Sequence, residues 1–232
     1  MTTRQSVMLL VVLVLSLPGL IHSFKPLFNS NSFTHREITR IAVLRKTAEV
    51  CQDIAASKGL DFNLIVSASV VKAHAKKENY IRGRWSLGQI CHTLQDFYSH
   101  SNWVELGNKA PYSALIRPDQ PLKNLAGQNT PTCRSCVGEN CTNNILPDVL
   151  NQGLLTSGYF SIISSSKPTG KCSHGGSADR TSRRDPVGGI NKDTLDSSHG
   201  FRHNEAANLA IRATMELLED IRLVAGDTNF MR

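Results

Sequence analysis

The sequence predicts an all-α domain, a helical bundle interrupted by a long, disulfide-tied loop region. Three observations lead there. Apolar residues recur at helical spacing in separate stretches: Ile38, Ile41, Ala42, Leu44 and Ala48 in one, Leu87, Cys91, Leu94 and Tyr98 in another. A third, the clearest, runs through Ala206, Ala210, Ala213, Leu217, Ile221 and Val224, with Glu216, Glu219, Asp220 and Arg222 largely off that line. Aromatics are only 6% of residues, and no β-rich region, internal repeat or coiled coil is visible.

Residues 1–23 stand apart from the fold. Arg4 is basic, residues 7–17 are apolar, and Pro18 and Gly19 break the run before the small residue Ser23. The run is short for a membrane span, so a secretory signal peptide is expected, with an uncleaved anchor as the alternative. Residues 24–232 then make one domain with room for a substantial core. No second apolar stretch reaches membrane length, so the mature chain is expected to be secreted and extracellular, without a transmembrane segment.

Thr34-His35-Arg36-Glu37 matches a capping box, with Thr34 as N-cap and Glu37 reaching back. A helix follows and ends before Gly59. His35 lies one turn from Ile38 and two from Ala42, so it faces inward and needs a partner. Residues 62–74 read as a second helix, ending at His74. Residues 84–100 read as a third, with no proline from 85 to 103. From 107 to about 184 the chain is rich in Pro, Asn, Ser, Gly and Cys, and only residues 145–163 have the apolar content for a helix. The last helix is expected over residues 198–224, with His199 and His203 extending its core stripe backward.

Six cysteines in a secretory context predict disulfides. Cys133, Cys136, Cys141 and Cys172 can pair in three ways. Cys51 and Cys91 either join two helices or remain buried thiols. A zinc site at Cys133 and Cys136 is the rival reading. Asn140-Cys141-Thr142 is a glycosylation sequon. The net charge of +7 is dispersed and never interleaved with aromatics, so there is no specific nucleic-acid signal.

The most informative segment is His92-Thr-Leu-Gln-Asp96-Phe-Tyr-Ser-His100. Its metal-competent side chains recur at i, i+4 and i+8, a ligand ladder for zinc along one helix. With His35, His74, His199 and His203 also placed on helices, the donors exceed what one tetrahedral ion needs. One to three Zn²⁺ ions are expected, with Asp96 as bridge and catalytic carboxylate.

Phe33-Thr-His35-Arg-Glu-Ile38, Ala73-His74 and the run from Leu87 through Ser101-Asn-Trp103-Val-Glu-Leu-Gly107 carry a family resemblance. So do Leu155-Thr-Ser-Gly-Tyr-Phe160, Lys171-Cys-Ser-His174-Gly-Gly176 and Gly189-Ile-Asn-Lys-Asp193. Together they resemble the Het-C-like N-terminal region of the von Willebrand factor A domain-containing protein seven family. More distantly they resemble the zinc-dependent phospholipase C and single-strand nuclease superfamily. The resemblance implies an all-α, phospholipase C-like helical bundle with a trinuclear zinc site using His35, His74, His92, Asp96, His100, His199 and His203, and with the amine of Phe24 as a further candidate ligand after cleavage.

Two features depart from the hydrolase pattern. An upstream aspartate ligand has no clear counterpart, Asp53 and Asp61 being candidates without a motif. Lys76 and Lys77 follow His74 where relatives often carry an acidic residue. The stretch to Arg232 contains no von Willebrand factor A domain, so a fragment or isoform of a longer protein is expected. Two readings follow: a metal-binding extracellular domain with a protein partner, or a zinc-dependent phosphoester hydrolase acting on phospholipid, with a nuclease as the weaker variant.

Overall fold

The structure is a computed structural model that describes residues 32–57, 80–117, 119–138 and 140–230. Its helices are α1 (His35–Ser57), α2 (Tyr80–His100), α3 (Pro147–Asn151), α4 (His203–Ala225) and α5 (Asp227–Phe230), with 3₁₀ turns at Ser113–Leu115, Arg180–Arg183 and Gly200–Arg202. No strand occurs among the described residues; the non-helical chain meets itself only in isolated bridges such as Ser101 with Ser157 and Tyr159 with Ser173.

Helix α1 starts as its sequence dictates. Thr34 N donates to Glu37 Oε2 and Glu37 N donates to Thr34 Oγ1, both at 3.1 Å, so two otherwise orphaned donors are satisfied reciprocally. Helix α4 is the organising element, packing against both α1 and α2, which touch each other much less. The reason is side-chain size. Ala206, Ala207, Ala210 and Ala213 are buried along α4 and let the other backbones approach closely. Ile38 and Ala42 from α1 and Cys91, Leu94 and Tyr98 from α2 fill the same core. Tyr98 is fully buried, and its hydroxyl accepts from Tyr112 N at 2.9 Å, which ties the chain beyond α2 to the bundle.

The middle segment has a small core of its own, Cys133, Ile145, Val149, Cys172 and Ile190. Two disulfides, Cys133–Cys172 and Cys136–Cys141, close it, which removes the zinc–cysteine alternative for Cys133 and Cys136. Without ladders, its backbone polar groups find side-chain partners. Buried Asp179 accepts from the N–H groups of Ser161, Gly175 and Thr181, while Lys167 Nζ donates to Ser173 Oγ and to the carbonyls of Thr181, Arg184 and Pro186.

Of the two states expected for Cys91, the structure shows the buried free thiol, and burial raises its pKa to about 11. Two expectations need correction. Residues 145–163 are helical only over Pro147–Asn151, because Gly153 takes φ +63° and turns the chain away. The last helix begins at His203, not at 198, so His199 lies ahead of it at the start of a 3₁₀ turn. The leader, Phe24 and the 62–74 stretch with His74 lie outside the described residues.

Candidate metal centre

The first turn of α1 supplies His35, and α2 supplies His92 and Asp96 one turn apart. His35 Nε2 lies 3.0 Å from Asp96 Oδ1, and His92 Nε2 lies 3.2 Å from Asp96 Oδ2. Each carboxylate oxygen therefore faces one imidazole, and the two rings tilt against each other with centroids 4.3 Å apart. Among the described residues this is the one group of three or more His, Cys, Asp or Glu whose ligand atoms all fall within 4.8 Å of one another.

The contacts are close without being well-formed hydrogen bonds. His92 Nε2 and Asp96 Oδ1 are buried atoms that make none of acceptable geometry. Convergence without mutual satisfaction is what a divalent cation would resolve, and two imidazoles plus a carboxylate suit one of transition type. The side chains of His35, His92 and Asp96 remain 13%, 26% and 23% exposed, so the cluster lies near the surface although the converging atoms are buried. Burial pushes the Asp96 carboxyl up, but His35 and His92 outweigh it and hold it well below the usual range. For His92, burial lowers the pKa and Asp96 more than reverses that, leaving it raised.

His100 is not brought to this cluster. Each step of four residues on a helix advances about 40°, so the i+8 member has rotated well off the face that holds i. Its Nδ1 lies 2.8 Å from Ile190 O, and its Nε2 lies 3.0 Å from Asp193 Oδ1. Asp193 also accepts from Ser99 Oγ at 2.6 Å. His199 is almost wholly buried, its Nε2 makes no hydrogen bond, and burial followed by Lys192 lowers its pKa to about 4. His203 donates from Nδ1 to Lys192 O at 2.8 Å and accepts at Nε2 from Phe33 N at 2.9 Å, joining the chain ahead of α1 to that ahead of α4.

Sequence reasoning gave no site role to Asp193, His174 or Gln95, although the first two lie in segments that carry the family resemblance. Asp193 and His174 lie in irregular chain, where periodicity says nothing about facing. Gln95 left a readable signal: it sits four residues from Cys91 on the core face of α2, where a polar group needs partners. Asn140 is exposed, as a sequon requires, and its Oδ1 accepts from Thr142 N.

A cavity of about 580 Å³ opens beside the cluster, with Asp96, His100 and His174 on its polar side and Ile90, Leu94, Phe97, Leu115 and Ile116 on its apolar side. A second, of about 750 Å³, shares Phe97, Leu115, Ser157 and Gly158 with it and reaches Leu125 and Phe160.

Fold and site together define a helical domain with a two-histidine, one-aspartate cluster suited to a metal ion. The chain belongs to the VWA7 N-terminal domain family, whose model matches residues 31–231. It is 38% identical over 214 residues to von Willebrand factor A domain-containing protein 7 of Mus musculus, covering 90% of this chain and 21% of that protein. The Homo sapiens protein of the same name is 46% identical over 167 residues, 71% of this chain and 18% of its own length. That of Rattus norvegicus is 44% identical over 161 residues, 68% and 18% of the two chains. The chain thus spans about a fifth of the length of the relatives it matches. No solved structure matches it.

Proposed function

We propose that this domain is a secreted, extracellular metal-binding module in which His35, His92 and Asp96 hold a zinc ion. The observation that carries the reading is the convergence of three ligand atoms within 4.8 Å, two of them on buried atoms that no hydrogen bond satisfies. A bound ion would cross-link the start of α1 to the middle of α2, helices that otherwise meet mainly through α4. Metal would then act as a folding staple. Residues 1–23 are read as the leader and 24–232 as one domain. The two disulfides fit an oxidising compartment, and no helix among the described residues is long and apolar enough to cross a membrane.

The cavity supports a second reading, a phosphoester hydrolase with a distant kinship to zinc phospholipases C. Three protein ligands that leave the fourth position to water or substrate are the catalytic arrangement for zinc, whereas structural sites are closed by a fourth protein ligand. When bound, the ion would supply Lewis acidity toward a phosphoryl oxygen. This chain's own part would be to seat an apolar group against Ile90, Leu115 and Ile116 while Asp96 stays fixed at the cavity wall.

Zinc per chain, measured on the secreted protein by elemental analysis, tests the first reading. At least one equivalent is expected, falling to background in Asp96→Asn and His92→Ala, with a lower Tm on chelation. No zinc in the wild type, or an unchanged Tm, overturns it. Turnover of a phosphodiester by the zinc-loaded wild type and not by Asp96→Asn establishes the second reading, and equal turnover by both removes it.

A further inference from the structure

Gln95 is fully buried on α2, where it reaches both α1 and α4. Its hydrogen bonds have one consistent direction. Thr214 Oγ1 lies 2.7 Å from Ala210 O, a carbonyl that can only accept, so the Thr214 hydroxyl proton is committed there. Toward Gln95 that hydroxyl is then an acceptor, which places the amide nitrogen Nε2 against it at 3.2 Å. The same Nε2 donates to Thr39 Oγ1 at 2.9 Å, using its second proton. The carboxamide is thereby oriented with Oε1 toward His35, 2.7 Å from Nδ1.

An amide oxygen can only accept, so Nδ1 of His35 carries a proton. The nitrogen left for a metal is then Nε2, the atom 3.0 Å from Asp96 Oδ1. In water a neutral histidine prefers the opposite tautomer, with the proton on the nitrogen that a metal here would need bare. Resting on the reading of the triad as a metal centre, we propose that Gln95 is a positioning residue. A relay from the Ala210 carbonyl of α4 through Thr214 and Gln95 fixes His35 as an Nε2 ligand. Packing of α4, rather than anything in the ladder itself, then presets the first ligand before metal arrives. Partners of this kind, bonded to the far nitrogen of a metal-binding histidine, typically control affinity by roughly 10–100-fold.

The test uses the whole secreted chain. Long-range nitrogen–proton NMR of the metal-free protein reads the His35 tautomer, and a zinc titration reads affinity. The wild type is expected to show Nδ1–H. Gln95→Leu is expected to drift toward Nε2–H and to lose roughly 10–100-fold in zinc affinity. Gln95→Glu keeps an acceptor at the same place and is expected to restore both tautomer and affinity to within a few-fold, a rescue that a purely structural role would not give. Should Gln95→Leu fail to fold, Thr214→Val removes the hydroxyl that orients the amide and is expected to give a partial drift. An Nδ1 without a proton in the metal-free wild type, or unchanged tautomer and affinity in Gln95→Leu or Thr214→Val, overturns the relay even where zinc binds normally. Nδ1–H in a wild type that takes up no zinc overturns the metal centre, and with it the role of Gln95, while leaving the tautomer assignment standing.

Discussion

His100 lies flat against His174, their ring centroids 3.2 Å apart and their planes 18° from parallel. The two rings respond to this enclosure in opposite senses. Burial lowers the His100 pKa, but Asp193 more than compensates and leaves it raised. Burial and then His100 depress His174 to about 4.

These shifts predict loss of stability on mild acidification. Below about pH 6.5 the unfolded chain takes up protons that folded His174 and His199 refuse until about pH 4, so stability falls with pH across that window. His100, with its raised folded value, contributes stability that is complete below its unfolded pKa and lost only at higher pH, so it does not reverse the trend. At about 1.4 kcal/mol per pKa unit, each depressed ring costs on the order of 2 kcal/mol between pH 6.5 and pH 5. Denaturant unfolding in chelator at the two pH values should show the drop, and His174→Asn should reduce it; a flat profile contradicts the assignment.

Disulfide loss should be graded by loop length. Cys133–Cys172 spans a sequence separation of 39 and Cys136–Cys141 one of 5. Chain-entropy arguments give about 4 kcal/mol for the first and about 2 kcal/mol for the second. Paired Cys→Ser variants compared by denaturant midpoint should preserve that order, and the larger loss should fall on the core around Ile145, Val149 and Ile190.

Lys192 is fully buried, its Nζ donating to Ser101 O at 2.8 Å and to Glu105 Oε1 at 2.9 Å. Burial lowers its pKa and Glu105 opposes that shift. Glu105→Ala leaves the ammonium without its counter-charge and should cost about 3–5 kcal/mol, whereas Glu105→Leu combined with Lys192→Met should cost far less. Thermal or urea unfolding of the two variants decides the matter; an equal loss in both would mean that packing, not charge, sets the penalty.

Gly158 should not tolerate a side chain. Its N–H donates to His100 O at 2.9 Å, and an added Cβ would overlap the His174 backbone nitrogen and the Ser173 carbonyl oxygen. Gly158→Ala must therefore push the segment around His174 away from α2. Separation of the two rings should appear as a rise in the His174 pKa toward its ordinary value, measured by NMR titration, together with a lower Tm. An unchanged titration would show that the segment moves without disturbing the stack.

Much of the bundle was written locally. The capping box at Thr34 and Glu37, the apolar stripes of α1 around Ile38 and Ala42 and of α2 from Leu87 to Tyr98, and the alanine face of α4 are short-range patterns, and each became a helix or a packed face as expected. The predicted core stripe of α4 ends early, because Ile221 and Val224 are exposed where the helix runs past its partners. The His92–Asp96 pair was legible for the same reason, because one helical turn puts both side chains on one side. His100 was read into the same ladder on spacing that drifts with each turn.

Sequence by itself thus determined the helix-forming segments, the cysteine-rich interruption and the residue types able to hold a metal. Tertiary structure alone decided which of them meet. It brought His35 across from α1 to Asp96, gave His100 to Asp193 and His174, and occupied both nitrogens of His203 with backbone groups. The physical reason is that helical periodicity fixes the direction of a side chain only relative to its own axis. Which partner lies in that direction depends on how α1 and α2 pack on α4, and on an irregular middle segment that has no period to read.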